Sequence, residues 1–189
     1  MDKQYHFVAI SGSLRKDSLN TMTLKAMQQL ASQHISIEQL SIADLPIFNQ
    51  DLHHDKEFPE AAFKLNEAIK GSDGVIFVTP EYNYSIPGPL KNAIDMLSRL
   101  PDQGFDMKAV AIAGASPGLL GTVRGQNHLR QVMVFVNAMV MNKPGVMIGQ
   151  ANTKFDKDGN LTDEKTKEIL KKFVESFAEF SDLFKAKSK

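Results

Sequence analysis

The sequence predicts an α/β fold: a five-stranded parallel sheet with helices on both faces. Three observations carry that expectation. Apolar runs alternate along the chain with longer stretches of helical periodicity. A run such as Val75-Ile76-Phe77-Val78 is apolar at every position, as a strand covered on both faces must be. Loops rich in Ser, Gly, Pro and Asn follow the first, third and fourth runs, at the end of the sheet where open α/β folds bind ligands.

Taken in order, residues 5–10 form the first strand. Residues 18–33 follow as a helix with Leu24, Met27, Leu30 and Ala31 on one face. Ile35 and Ile37 alternate in a short second strand over 35–40. Residues 43–58 contain Pro46, Asn49 and the pair His53-His54, and read as loop. A helix over 59–70 has Pro59 at its start and Gly71 at its end. Residues 74–79 form the third strand, and 90–100 a helix with Leu90, Ile94 and Leu97 inward. Residues 108–113 make the fourth strand, 122–137 a helix, and 145–148 a short last strand. The apolar run from Val132 to Met141 reads as a buried helix end whose excess implies subunit contact. The final helix, about 162–184, carries the stripe Ile169, Phe173, Phe177, Phe180 and Phe184. Asp156-Lys157-Asp158-Gly159-Asn160 has part of a calcium-loop pattern but lacks the terminal glutamate, and reads as a plain turn. With no internal repeat or linker, residues 1–189 read as one domain.

Composition narrows the function. A formal net charge of +0 removes the basic field of a general nucleic-acid binder. The absence of cysteine excludes disulfides, thiolate catalysis and cysteine-held metals. No apolar run approaches a membrane span, and the N-terminal residues lack a secretion-signal pattern, so a cytoplasmic protein is expected. His53 and His54 on an acidic loop read as surface residues, and the Lys185, Lys187 and Lys189 tail as a solvated end.

The chemistry lies in the three loops. The first, Ser11-Gly12-Ser13-Leu14-Arg15-Lys16-Asp17-Ser18-Leu19-Asn20, joins a strand to a helix start. Unpaired N–H groups and the positive end of the helix dipole make such a start an anion site. Ser13, Ser18, Asn20 and Thr21, with Arg15, would hold a phosphate without metal; the other reading is an ordinary helix capped by Ser18 or Asn20. The loop lacks both the P-loop Gly-Lys-Ser/Thr and the three glycines of a dinucleotide fingerprint. The second, Pro80–Pro89, is stiffened by prolines and offers Tyr82, Tyr84 and Asn83 to a planar heteroaromatic ring, or is a rigid structural loop. The third, Ala115–Gly121, lets backbone approach a ligand closely, with Arg124 just beyond.

Together these segments resemble the NADPH-dependent FMN reductase family of the flavodoxin-like fold, a three-layer sandwich, and within it the bacterial chromate/quinone reductases and azoreductases. The matching pieces are Gly12–Lys16 with Ser18 and Asn20, Pro80–Gly88 running into Leu90–Asp95, His128–Gln131 and Met139–Pro144. The resemblance implies that Ser11, Ser13, Arg15, Ser18, Asn20 and Thr21 hold the FMN phosphate and its tail. It implies that Pro80, Glu81, Tyr82 and Asn83 border the isoalloxazine ring, that Ser116 and Gly118 touch it from the third loop, and that Tyr82 and Asn83 shape the acceptor pocket. Arg124 would meet the nicotinamide nucleotide or a neighbouring subunit, and Asp17 would face solvent or pair with Lys16. Many relatives carry paired glycines where Gly121 is followed here by Thr122. The implied activity is ping-pong transfer of a hydride from NAD(P)H through the flavin to a quinone, chromate, azo dye or free flavin, with no catalytic side chain. The implied assembly is a homodimer or homotetramer. A flavodoxin-type electron carrier is the competing function, though such carriers are typically acidic and this chain is neutral.

Overall fold

A computed structural model describes residues 3–52 and 57–185. Six strands are present among them: β1 (Tyr5–Ser11), β2 (Ile35–Leu40), β3 (Gly74–Val78), β4 (Ala109–Ala115), β5 (Met139–Val140) and β6 (Val146–Ile148). All pair in parallel, in the order β2-β1-β3-β4-β5, and β6 also pairs with β4. The helices are α1 (Leu19–Leu30), α2 (Glu60–Gly71), α3 (Gly88–Leu97), α4 (Val123–Phe135) and α5 (Glu164–Ser181).

Alternation along each strand divides the core into two layers. Phe7, Ile76 and Ala111 face α1 and α5, meeting Leu24, Met27, Phe173 and Phe177. Val8, Val75, Phe77 and Ile112 face α2, α3 and α4, meeting Ile69, Leu90, Ile94, Leu129 and Met133. This is the three-layer flavodoxin-like sandwich that the family resemblance implies, with one core layer on each face of the sheet. The strand order reverses between β1 and β3, which places a crevice outside their C-terminal ends.

Four expectations need correction. The last position of the sheet is filled by two short strands: α4 stops at Phe135, Asn137 turns left-handed at φ 56°, and Met139–Val140 pairs with Ala109–Val110. The run read as a buried helix end is thus part helix and part strand, and its Val134 and Phe135 lie about three-quarters exposed (76% and 77%). β4 runs on through Ala115, because Ala113, Gly114 and Ala115 pair with β6. On α5 the inward stripe uses Leu170, while Ile169 lies on the exposed side. Lys185 is not merely solvated: it pairs with Asp73 at 2.8 Å and lies over the Tyr5 ring. Lys187, Lys189, His53 and His54 lie outside the described residues.

Between β6 and α5, Asp156 serves its own turn, accepting from the Asp158 and Asn160 N–H groups at 2.9 and 2.8 Å. Asp163 caps α5, accepting from the Thr166 hydroxyl, from Lys154 Nζ at 3.1 Å and from Thr166 N–H at 2.9 Å. These bonds, the Thr166 hydroxyl first, hold its pKa down to about 2. The unfolded value is about 3.9, so this cap contributes stability above that pH and loses it as pH falls toward about 2. Asp163→Asn is expected to flatten the fall of the urea midpoint across that window, and an unchanged acid limb would refute the assignment.

Candidate functional site

The first loop leaves β1 at Ser11 and passes directly against the second. Gly12 N–H donates to Val78 O at 2.9 Å, and a Cβ on Gly12 would stand 2.9 Å from Thr79 Oγ1 and 3.2 Å from Pro80 Cδ. Glycine is therefore needed at 12 for close approach. Ser18 is the N-cap of α1, its hydroxyl accepting from the Asn20 and Thr21 N–H groups. The capping reading is thus correct for Ser18, and it leaves the start of α1 facing a cleft of about 200 Å³ lined by Ser11, Ser13, Leu14, Arg15 and Thr21. Ser11 and Thr21 share a hydroxyl–hydroxyl bond of 2.9 Å. Arg15 is exposed, its Nη2 donating to Asp17 O at 2.5 Å, and Asp17 lies exposed as expected.

Asn20 departs from the expectation. Its amide is 3% exposed and grips Ala115 at both ends: Oδ1 accepts from Ala115 N–H at 2.9 Å and Nδ2 donates to Ala115 O at 3.0 Å. The side chain ties α1 to the end of β4, a structural role the sequence reading did not foresee.

The second loop folds as a tight turn. Tyr82 and Ser85 exchange backbone hydrogen bonds of 2.9 Å in both directions, with Asn83 and Tyr84 between them at φ 51° and 64°. Positive φ suits asparagine and strains tyrosine. The turn leaves Tyr82 and Tyr84 outward, 47% and 65% exposed. Glu81 does not point with them. Its Oε2 accepts from the N–H groups of Arg124 and Gly125 at 2.8 and 2.9 Å, so it caps α4 from another loop. His128 Nδ1 and Ser85 Oγ, 3.0 Å apart, add a second tie.

The third loop is anchored by backbone. Ser116 N–H donates to Ile148 O at 3.0 Å, and Ser116 Oγ donates to Gly121 O at 2.7 Å. Gly118 is exposed, and a Cβ there would meet Ser116 Oγ at 3.6 Å, an ordinary contact. Thr122 is fully buried against Gly114, and its hydroxyl accepts from Gln126 Nε2 at 3.0 Å. Arg124 is engaged within the chain: its guanidinium lies 4.2 Å above the Tyr84 ring, with Nη1 3.7 Å from Glu81 Oε1.

The three loops therefore meet at one end of the sheet, on either side of the reversal in strand order. Alongside them runs an apolar cleft of about 640 Å³ lined by Leu14, Leu45, Ile47, Phe48, Pro89 and Asn92. Sequence reasoning passed over it, although the apolar Leu45-Pro46-Ile47-Phe48 inside a polar stretch was the available sign. Asn92 shapes it, accepting from Phe48 N–H at 2.8 Å and donating to Pro46 O at 2.9 Å.

The family model for NADPH-dependent FMN reductase matches residues 5–153. The chain belongs to that family. It is 44% identical over 182 residues to a quinone reductase of Escherichia coli (strain K12), covering 95% of this chain and 97% of that protein. It is 43% identical over 176 residues to an NAD(P)H-dependent FMN reductase of Pseudomonas aeruginosa, covering 93% and 95%. Among solved structures it is similar to FerB, a flavoenzyme NAD(P)H:(acceptor) oxidoreductase from Paracoccus denitrificans. The TM-score is 0.86 and the identity 37%, over 95% of this chain and 98% of that one.

The family's cofactor fits the residues present. The cleft at the α1 start is lined by the hydroxyls of Ser11, Ser13, Thr21 and Ser41 and the Arg15 guanidinium, together with Gln39 and apolar residues, and no carboxylate side chain is among its lining residues. That donor set suits a phosphate. The outward Tyr82 and exposed Gly118 suit the approach of a flat ring.

Proposed function

We propose that this chain works as one cytoplasmic domain that reduces small electron acceptors with NAD(P)H through bound FMN. Quinones, azo compounds, chromate and free flavin are the acceptor classes. The observation that carries the proposal is the meeting of a donor-lined helix start with an aromatic turn and an open glycine loop at the sheet's switch point. The family match and the quinone reductase relatives favour an enzyme over a flavodoxin-type carrier.

In this reading Ser11, Ser13, Arg15 and Thr21 hold the phosphate with hydroxyls and one cation at the positive end of the α1 dipole, and Ser18, whose oxygen accepts from the Asn20 and Thr21 N–H groups, donates its own O–H. Pro80, Tyr82, Asn83, Ser116 and Gly118 border the ring, while Asn20 and Glu81 shape the site from behind. Bound flavin supplies the hydride chemistry, and the protein supplies position and electrostatics. Nucleotide and acceptor use the same open face, so Tyr82 and Asn83 admit flat substrates without a dedicated acid or base. Exposed Val134 and Phe135 on α4 support assembly into a homodimer or homotetramer.

The test is anaerobic titration of the FMN-loaded protein with NADPH and NADH. The yellow absorbance is expected to disappear without any partner reductase and to return when a benzoquinone is added. Retention of colour under excess of both nucleotides would favour the carrier.

A further inference from the structure

α4 has no cap of its own. Its N-cap residue, Thr122, makes no side-chain bond to the first-turn N–H groups; its hydroxyl accepts from Gln126 instead. The Arg124 and Gly125 N–H groups are satisfied by Glu81, 43 and 44 residues earlier in the chain. The Glu81 side chain is only 12% exposed, so these charge-assisted bonds are largely shielded from water. The contact is built on both sides. A Cβ on Gly125 would stand 3.1 Å from Ser85 O and 3.4 Å from Glu81 Cβ, so glycine lets the turn lie directly on the helix. Immediately after Glu81 comes the strained Tyr82–Ser85 turn, which needs support to persist.

We propose that Glu81 is a positioning residue: by capping α4 from the second loop, it holds the Tyr82–Ser85 turn in the shape that receives the flavin ring, without touching the flavin. The proposal rests on the FMN reading above and concerns only the ring end of the site. The phosphate end is built separately, on α1. Loosening Glu81 should therefore weaken every flavin alike, whether or not it carries a phosphate.

The experiment compares FMN and riboflavin binding, by quenching of flavin fluorescence, in wild type, Glu81→Ala, Glu81→Gln and Arg15→Ala. Glu81→Ala is expected to raise both dissociation constants by the same factor, since a turn that spends only part of its time in the binding shape lowers every flavin's affinity by that fraction. Glu81→Gln keeps an acceptor oxygen at the same reach and should recover part of that loss. Arg15→Ala should affect FMN alone. Amide exchange at Arg124 and Gly125 should quicken in flavin-free Glu81→Ala; if that variant does not fold, Glu81→Gln carries both measurements with smaller changes. Wild-type affinity for both flavins in the Glu81 variants, or a loss confined to FMN, would overturn the proposal. A wild-type protein that binds neither flavin would instead overturn the FMN reading itself, and the proposal with it.

Discussion

Arg15→Ala is expected to weaken FMN binding by about ten- to a hundred-fold and to leave riboflavin binding unchanged. A hydrogen bond to a charged partner is worth about 1.5–3 kcal/mol, which sets that range. Arg15 lies exposed, so solvent screens its charge and the result should fall nearer ten-fold. Its guanidinium rests on the Asp17 carbonyl and holds no carboxylate in an ion pair among the described residues. It is thus free to turn to a phosphate without breaking a strong contact. Isothermal titration with the two flavins measures the difference directly. Equal losses for both, or none for either, would mean that the phosphate is held elsewhere.

Gly114→Ala is expected to have the largest effect on stability. A Cβ there would stand 1.9 Å from Thr122 Oγ1 and 2.4 Å from Thr79 O. Thr122 and Thr79 are both fully buried, and one of the obstructing atoms is backbone, so neither can simply swing away. Overpacking of well-packed cores costs about 1–3 kcal/mol and sometimes more, and this site belongs at or beyond the upper end. The strain falls where β4 passes between the second loop and the start of α4, so flavin uptake should fall with the urea midpoint. Adding Thr122→Ala should restore part of the stability by removing the nearest atom. A Gly114→Ala protein with wild-type midpoint and flavin affinity would show that β4 is not so closely confined.

The central strands were legible because Val75–Val78 and the β4 run are short, apolar at every position and bounded by turn residues, as doubly covered strands are. β5 was not, since two residues carry no periodicity and Val132–Met141 continues the apolar character of α4 without a break. The α5 stripe was misread by one position, because Ile169 and Leu170 are equally apolar and only packing against β4 and β6 chooses between them.

The loops that make the site were visible from composition, and Ser18 behaves as its sequence position implies. Asn20 and Glu81 could be singled out as unusual but not given their true partners. Asn20 bonds a backbone 95 residues away, and Glu81 one 43 and 44 residues away. Spacing along the chain carries no trace of such ties. Both residues look like ligand contacts in sequence, and in the structure each also braces one segment of the site against another.

The measurement that bears most directly on this assignment is a crystal structure of the protein grown with FMN. The phosphoryl group is expected at the start of α1, within hydrogen-bonding distance of Ser13, Ser18 or Thr21, with the Arg15 guanidinium turned from Asp17 to meet it. A phosphoryl group bound anywhere else, with the turn after β1 making no contact to it, would contradict the assignment.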